Sequence, residues 1–179
     1  FLFTAVSLLC YLPFISAGEK LFQTLEIYAR QWFFNAPLYD LLALLCNDHL
    51  PARKMAGLLF FIIILCLYAW HFKQEGPAHP AYRHRVCFIA LGFFMLLTPT
   101  LHPWYVCWII PFLVVVPNRA WFLFSGTVFL SYWVLKDYAA TGLWQEQLWV
   151  RLLEYAPFYA LLFFDSIKHL TRMRSGKTA

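Results

Sequence analysis

Residues 86–117 form one apolar block, VCFIALGFFMLLTPTLHPWYVCWIIPFLVVVP, in which His102 is the one basic side chain. As a single α-helix, about 32 residues would run ~48 Å at 1.5 Å per residue. The hydrocarbon core of a bilayer is about 30 Å thick, and two full spans would need about 40 residues. The block is too long for one span and too short for two. Two short spans meeting at a tight corner below the membrane surface fit that length. Pro99 and Pro103 place the corner at residues 100–103, and Pro111 and Pro117 kink and end the second arm.

The rest of the chain is also written for lipid. It is 62% hydrophobic and 13% charged, against roughly 25% charged in soluble domains. A soluble chain of this size could not hide so much apolar surface. The 19 Phe, 10 Tyr and 8 Trp suit aromatic belts at both interfaces. The five cysteines include no C-x-x-C pair and read as small buried hydrophobes. The net charge of +5 bears on orientation. Nucleic acid is not an expected partner, because no basic stretch carries the aromatic spacing of an RNA-binding strand.

Residues 1–17 read as a first span that begins inside an apolar run, so we expect a transmembrane helix cut near its first turn and an N-terminal transmembrane part beyond it. Residues 19–50 read as an outer amphipathic and interfacial region. Leu21, Phe22, Leu25, Tyr28, Ala29, Trp32 and Phe33 recur at the spacing of one helical face, and Glu26 and Arg30 form an i,i+4 pair in the favourable order. Such a helix lies flat at the membrane surface. Asn35 and Pro37 then start a helix, Asn35 as its cap, which reaches about half the length of a span and is read as re-entrant or interfacial. Residues 55–72 are a span, 73–85 an inner loop, 119–135 and 149–167 further spans, and 168–179 a basic tail. The expected fold is therefore all-α and integral to the membrane: one transmembrane domain over 1–179, with about six transmembrane helices.

Lys and Arg orient it. With the tail inside, inner segments hold Lys73, Arg83, Arg85, Arg119, Lys168, Arg172, Arg174 and Lys177, and outer ones hold Lys20, Arg30, Arg53, Lys54, Lys136 and Arg151. The bias favours a cytoplasmic C-terminus. The amphipathic helix and the His102 corner then share the outer face.

These two segments carry a family resemblance. TPTLHPWYVCWIIPFL is similar to the T-P-x-x-H-P-W-Y-x-x-W-x-x-P-F-x stretch of bacterial GT-C superfamily membrane glycosyltransferases, the polyprenyl-phosphate-sugar-dependent, mannosyltransferase-like proteins. YLPFISAGEKLFQTLEIYARQWFFNAPLYDLL resembles the segment in which L-P-F…G…L…Y-A-x-x-W-x-F-N-x-x-L follows a span in the same proteins. The resemblance implies the C-terminal portion of an enzyme of the bacterial inner (plasma) membrane. It would move a sugar, mannose first among candidates, from a polyprenyl-phosphate donor to a glycan or lipid acceptor on the outer face. The family's catalytic carboxylate lies in an N-terminal outer loop, and no carboxylate of this chain matches it. The catalytic residues stay unassigned. No metal or cofactor is expected beyond the lipid-linked donor, which is a substrate.

Displacement at an anomeric carbon needs a base near the acceptor hydroxyl, help for the departing phosphate, and aromatic surfaces for sugar and isoprenoid. His102 could hold the donor phosphate or an acceptor hydroxyl, or simply cap a helix at the interface. Trp104 and Tyr105 could pack on sugar or polyprenyl, or form part of an aromatic belt, and Trp108 reads as packing. Arg30 and Lys20 could pair with phosphate or with lipid headgroups. Glu19 and Glu26 could serve as acids or bases but read first as a cap and an i,i+4 partner, and Asp165, an ionisable group near the end of an apolar span, reads first as the partner of Lys168. His71, His79, His84 and His169 show no repeated spacing, and no H-E-x-x-H, P-loop or Gly-rich fingerprint occurs. The rival to an enzyme is a transporter or lipid-flipping subunit, or a structural membrane protein. Broken helices and buried polar corners suit transporters too, but the halves of the chain show no internal repeat.

Overall fold

The computed structural model describes residues 1–73 and 80–174, and the chain divides into two compact units, Phe1–Phe33 and Phe34–Ala179. His79 and Lys177 lie outside the described residues, as do the side chains of His71, Lys73, His169, Arg172 and Arg174. Apart from one isolated parallel bridge between Phe34 and Thr100, the described residues hold no strand.

In the first unit, α1 (Leu2–Tyr11) continues as a 3-10 helix over Leu12–Ala17, where Pro13 sits in the first turn. The chain then bends by 100° into α2 (Lys20–Gln31). The first unit is thus an apolar rod followed by an amphipathic helix nearly perpendicular to it. An interfacial helix leaves a span at this angle. Glu26 and Arg30 pair at 2.9 Å across one helical turn.

The second unit contains α3 (Pro37–Cys46), α4 (His49–Lys73), α5 (Pro80–Leu97), α6 (Ile110–Leu113), α7 (Arg119–Thr127), α8 (Trp133–Thr141) and α9 (Leu148–Arg174). Of the six spans expected, the described residues supply one helix that alone is long and apolar enough, His49–Trp70, or two if the bent pair of the first unit is one span. Only 17% of the apolar window of His49–Trp70 is buried. That separates it from the core helix of a soluble protein, which would be mostly covered. Leu58, Phe61, Ile62 and Leu65 all face outward.

The other expected spans are broken or charged. The second arm of the 86–117 block is a 3-10 helix over Pro103–Trp108 and the single turn of α6, so it is not a helical span. Pro103 and Pro111 each remove a backbone donor, which shortens helix on both sides. The 119–135 segment changes at Val128–Tyr132 from α to 3-10 before α8 begins. The 149–167 segment lies within the longer α9, which continues into the basic tail and carries Arg151, Glu154 and Asp165. Asp165 pairs with Arg119 at 2.5 Å rather than with Lys168. The cysteines are free, and Cys10, Cys66, Cys87 and Cys107 are exposed rather than buried, because the apolar stretches that hold them turn outward.

The core joins α5, α7 and α9 through interlocked aromatics. The Phe158 ring lies 4.7 Å from Phe124 and 4.9 Å from Trp121, and Tyr155 lies 5.1 Å from Phe124. Such pairs add about 0.5–1.5 kcal/mol each beyond their burial. Asn118 caps α7 by accepting from Trp121 N–H at 3.0 Å. Gly92 lets α5 close on α7, since a Cβ there would lie 3.0 Å from the Trp121 ring.

Candidate functional site

The site begins with two backbone bonds. Phe34 N–H donates to Pro99 C=O at 3.1 Å, and Leu101 N–H donates to Phe34 C=O at 2.8 Å. Prolines on both sides keep residues 98–102 out of a helix, so their backbone groups are free for this exchange. The residues leading into α3 are thereby fastened to the turn after α5.

His102 follows in extended conformation and heads the 3-10 helix, its C=O accepting from Tyr105 N–H at 2.9 Å. The imidazole makes no side-chain cap bond. It stacks on Trp104 at 4.2 Å and 9°, with Phe34 at 5.2 Å and Tyr105 edge-on at 5.7 Å. The ring is 7% exposed, whereas Trp104 is 50% exposed. Burial lowers the His102 pKa below its ordinary value. At neutral pH the ring therefore offers one N–H donor and one acceptor rather than a cation. That suits a hydroxyl better than a phosphate. His102 thus occupies the cap position through its backbone, while its ring lies in an aromatic stack with one outward indole.

His102, Trp104 and Tyr105 are thus brought together, and Tyr105 passes the stack on to Trp108 at 5.0 Å. Lys20 and Arg30 are exposed on α2 in the first unit.

A second cluster starts one residue after Phe34. Asn35 is fully buried with a φ of 51°, in the left-handed region that Asn tolerates better than most residues. It is not the helix cap expected, for Ala36 holds that position. Instead its N–H donates to Glu146 Oε2 at 2.9 Å, its Nδ2 donates to Glu154 Oε1 at 2.5 Å, and its C=O accepts from Tyr155 O–H at 2.7 Å. Arg151 bridges Asp40 at 2.7 Å and Glu146 at 2.8 Å. Burial pushes the Glu146 pKa up, against the opposing pull of Arg151 and the Asn35 N–H. Among the described residues, two buried acceptors, Asn35 Oδ1 and Glu154 Oε2, have no hydrogen-bond partner. Both residues line a cavity of about 10 Å³ with Ser131, Trp133, Gln147 and Arg151.

No curated protein and no solved structure matches the chain. A family model does: the MptB C-terminal domain, over residues 41–165. The chain belongs to the MptB C-terminal domain family. This is a family of mannosyltransferase-like membrane glycosyltransferases of the GT-C type, and the match agrees with a C-terminal portion. The MptB domain match takes in His102, Trp104, Tyr105, Glu146, Arg151 and Glu154. Asn35, Asp40, Lys20 and Arg30 precede it.

Within this MptB-type domain, sequence reasoning passed over Glu146, Arg151 and Glu154. A signal was present: Arg151 and Glu154 stand three residues apart at the start of a segment read as a lipid span, and ionisable groups at that depth default to function. The other half of the cluster, Asn35 and Asp40, is remote in sequence.

Proposed function

We propose that this chain serves in a membrane glycosyltransferase that transfers mannose from a polyprenyl-phosphate donor to a glycan or lipid acceptor. The reaction takes place at the outer face of a bacterial inner membrane, with the C-terminus in the cytoplasm. The match to the MptB C-terminal domain carries this reading. The His102 corner adds to it. A buried neutral imidazole beside a half-exposed indole can hold a hydroxyl against an aromatic face, and carbohydrate sites are built from such pairs of polar and apolar contacts. Trp104 and Tyr105 supply the surface for the sugar or its isoprenoid carrier. Lys20 and Arg30, exposed on the amphipathic α2, supply cations for phosphate at the interface.

The test uses the full-length gene product in its own membranes with radiolabelled polyprenyl-phosphate mannose. The parent should transfer label, and His102→Ala at matched expression should lose most of it. Transfer by both keeps the enzyme and makes the corner structural. No transfer by the parent from mannose or any other lipid-linked sugar points to a transporter or scaffold.

A further inference from the structure

The cavity beside Asn35 poses a hydrogen-bond question. Among the described residues, Arg151 pairs with Asp40 and Glu146, and Glu154 lines the cavity beside them. The cluster is therefore richer in acceptors than in donors. Asn35 and Glu154 are both fully buried, bonded to each other through one edge, and each keeps one oxygen without a partner. Buried acceptors are normally satisfied by protein or ordered water, and each exception calls for an explanation. A guest must bring hydrogens. A phosphate cannot, because it would add negative charge and further acceptors to a surplus of both. Among the described residues no group of histidines, cysteines and carboxylates could hold a metal ion. The space of about 10 Å³ admits one oxygen atom. Trp133, which forms one wall, is 39% exposed; Lys136 Nζ lies over its ring at 4.3 Å and Trp149 packs edge-on against it, so a sugar ring carrying that oxygen would rest on the exposed remainder of the indole, outside the cavity.

We propose that this cavity is a hydroxyl-binding subsite for a carbohydrate: one sugar O–H enters and donates to Glu154 Oε2 or Asn35 Oδ1 while the ring stays outside against Trp133. The subsite is separate from the His102 stack but joined to it through the Phe34–Asn35 peptide. Its use for the acceptor sugar, as opposed to any sugar, rests on the transferase reading.

Glu154→Gln discriminates. The new amide can accept from Asn35 Nδ2 with its oxygen and donate to Asn35 Oδ1 with its nitrogen, which closes the pair on itself and leaves nothing for a guest. Full-length protein in nanodiscs would be titrated with mannose oligomers, with glucose oligomers as a second probe, and its thermal midpoint recorded alongside. The expected result is an unchanged or higher midpoint together with about tenfold weaker sugar binding, and a matching rise in acceptor KM with little change in kcat. Unchanged binding and KM would mean that the cavity holds a water or a proton, and would overturn the subsite. So would a parent that binds neither oligomer. A parent that binds sugar through Glu154 but transfers none would sink the transferase reading and keep the subsite. If Glu154→Gln fails to fold, Trp133→Ala, at a part-exposed position on the cavity wall that makes none of the Asn35 bonds, replaces it. It should weaken binding several-fold, and no change there overturns the proposal.

Discussion

Asn35 Nδ2 donates to Glu154 Oε1 at 2.5 Å across 119 positions of sequence. This bond ties the segment leading into α3 to the first turns of α9. The same residue holds Phe34, whose backbone fastens the His102 corner. The neutral stack and the acidic cavity are thus two sides of one dipeptide.

Replacement of Asn35 should separate backbone from side chain. Asn35→Gly keeps the left-handed φ available but leaves Glu154 without its donor, at a cost of about 1–3 kcal/mol. Asn35→Ala adds roughly 1 kcal/mol of backbone strain to that. Thermal unfolding in detergent should rank parent above Gly above Ala. An Ala variant as stable as Gly would mean that the left-handed conformation is not held in solution.

Arg151 neutralises two carboxylates at once. Arg151→Met should destabilise by about 3 kcal/mol, since it strands charges that are largely covered. Adding Glu146→Gln to that variant should return part of the loss. A double-mutant cycle measures the coupling, and purely additive effects would contradict the bridging geometry.

The His102 stack should weaken in acid. Burial lowers the folded-state pKa of His102 below the ordinary 6.5, so below pH 6.5 the unfolded chain takes up a proton that the folded ring resists. The stability this residue contributes is fully present above pH 6.5 and is lost as pH falls from there toward the lowered folded value. His102→Phe keeps an aromatic ring between Phe34 and Trp104 and should flatten the midpoint-against-pH curve over that window. An equal slope in both proteins would place the acid sensitivity elsewhere.

Gly92→Ala should cost about 1–2 kcal/mol by forcing a methyl group against Trp121. Trp121→Phe in the same chain should relieve part of that. A stability scan of the two single variants and the double variant tests the close approach of α5 and α7 at Gly92.

Several parts of this protein could be read without coordinates. The span read at 55–72 follows from the apolar run that begins at Met55 and lies largely within the long helix His49–Lys73, and the amphipathic α2 and its Glu26–Arg30 pair follow from helical periodicity. The arithmetic of the 86–117 block and the spacing of its prolines called for a break near His102, and the family resemblance rested on the same residues. These are local properties: periodicity, length and the missing proline donor act within a few turns of chain. The second arm of that block, the breaks after Thr127 and the role of Asn35 were not legible in this way. Whether Asn35 caps a helix or bonds a buried carboxylate depends on Glu146, Glu154 and Tyr155, which arrive from more than a hundred positions away. Arg151 likewise reads as an outer-loop cation until Asp40 and Glu146 surround it. Sequence by itself determined the long apolar helix after Met55, the amphipathic α2 and the proline break near His102, because each local stretch carries its own polarity and backbone chemistry. Only the tertiary structure decided which polar groups meet in the interior, because a hydrogen bond between distant segments depends on the packing that brings them together.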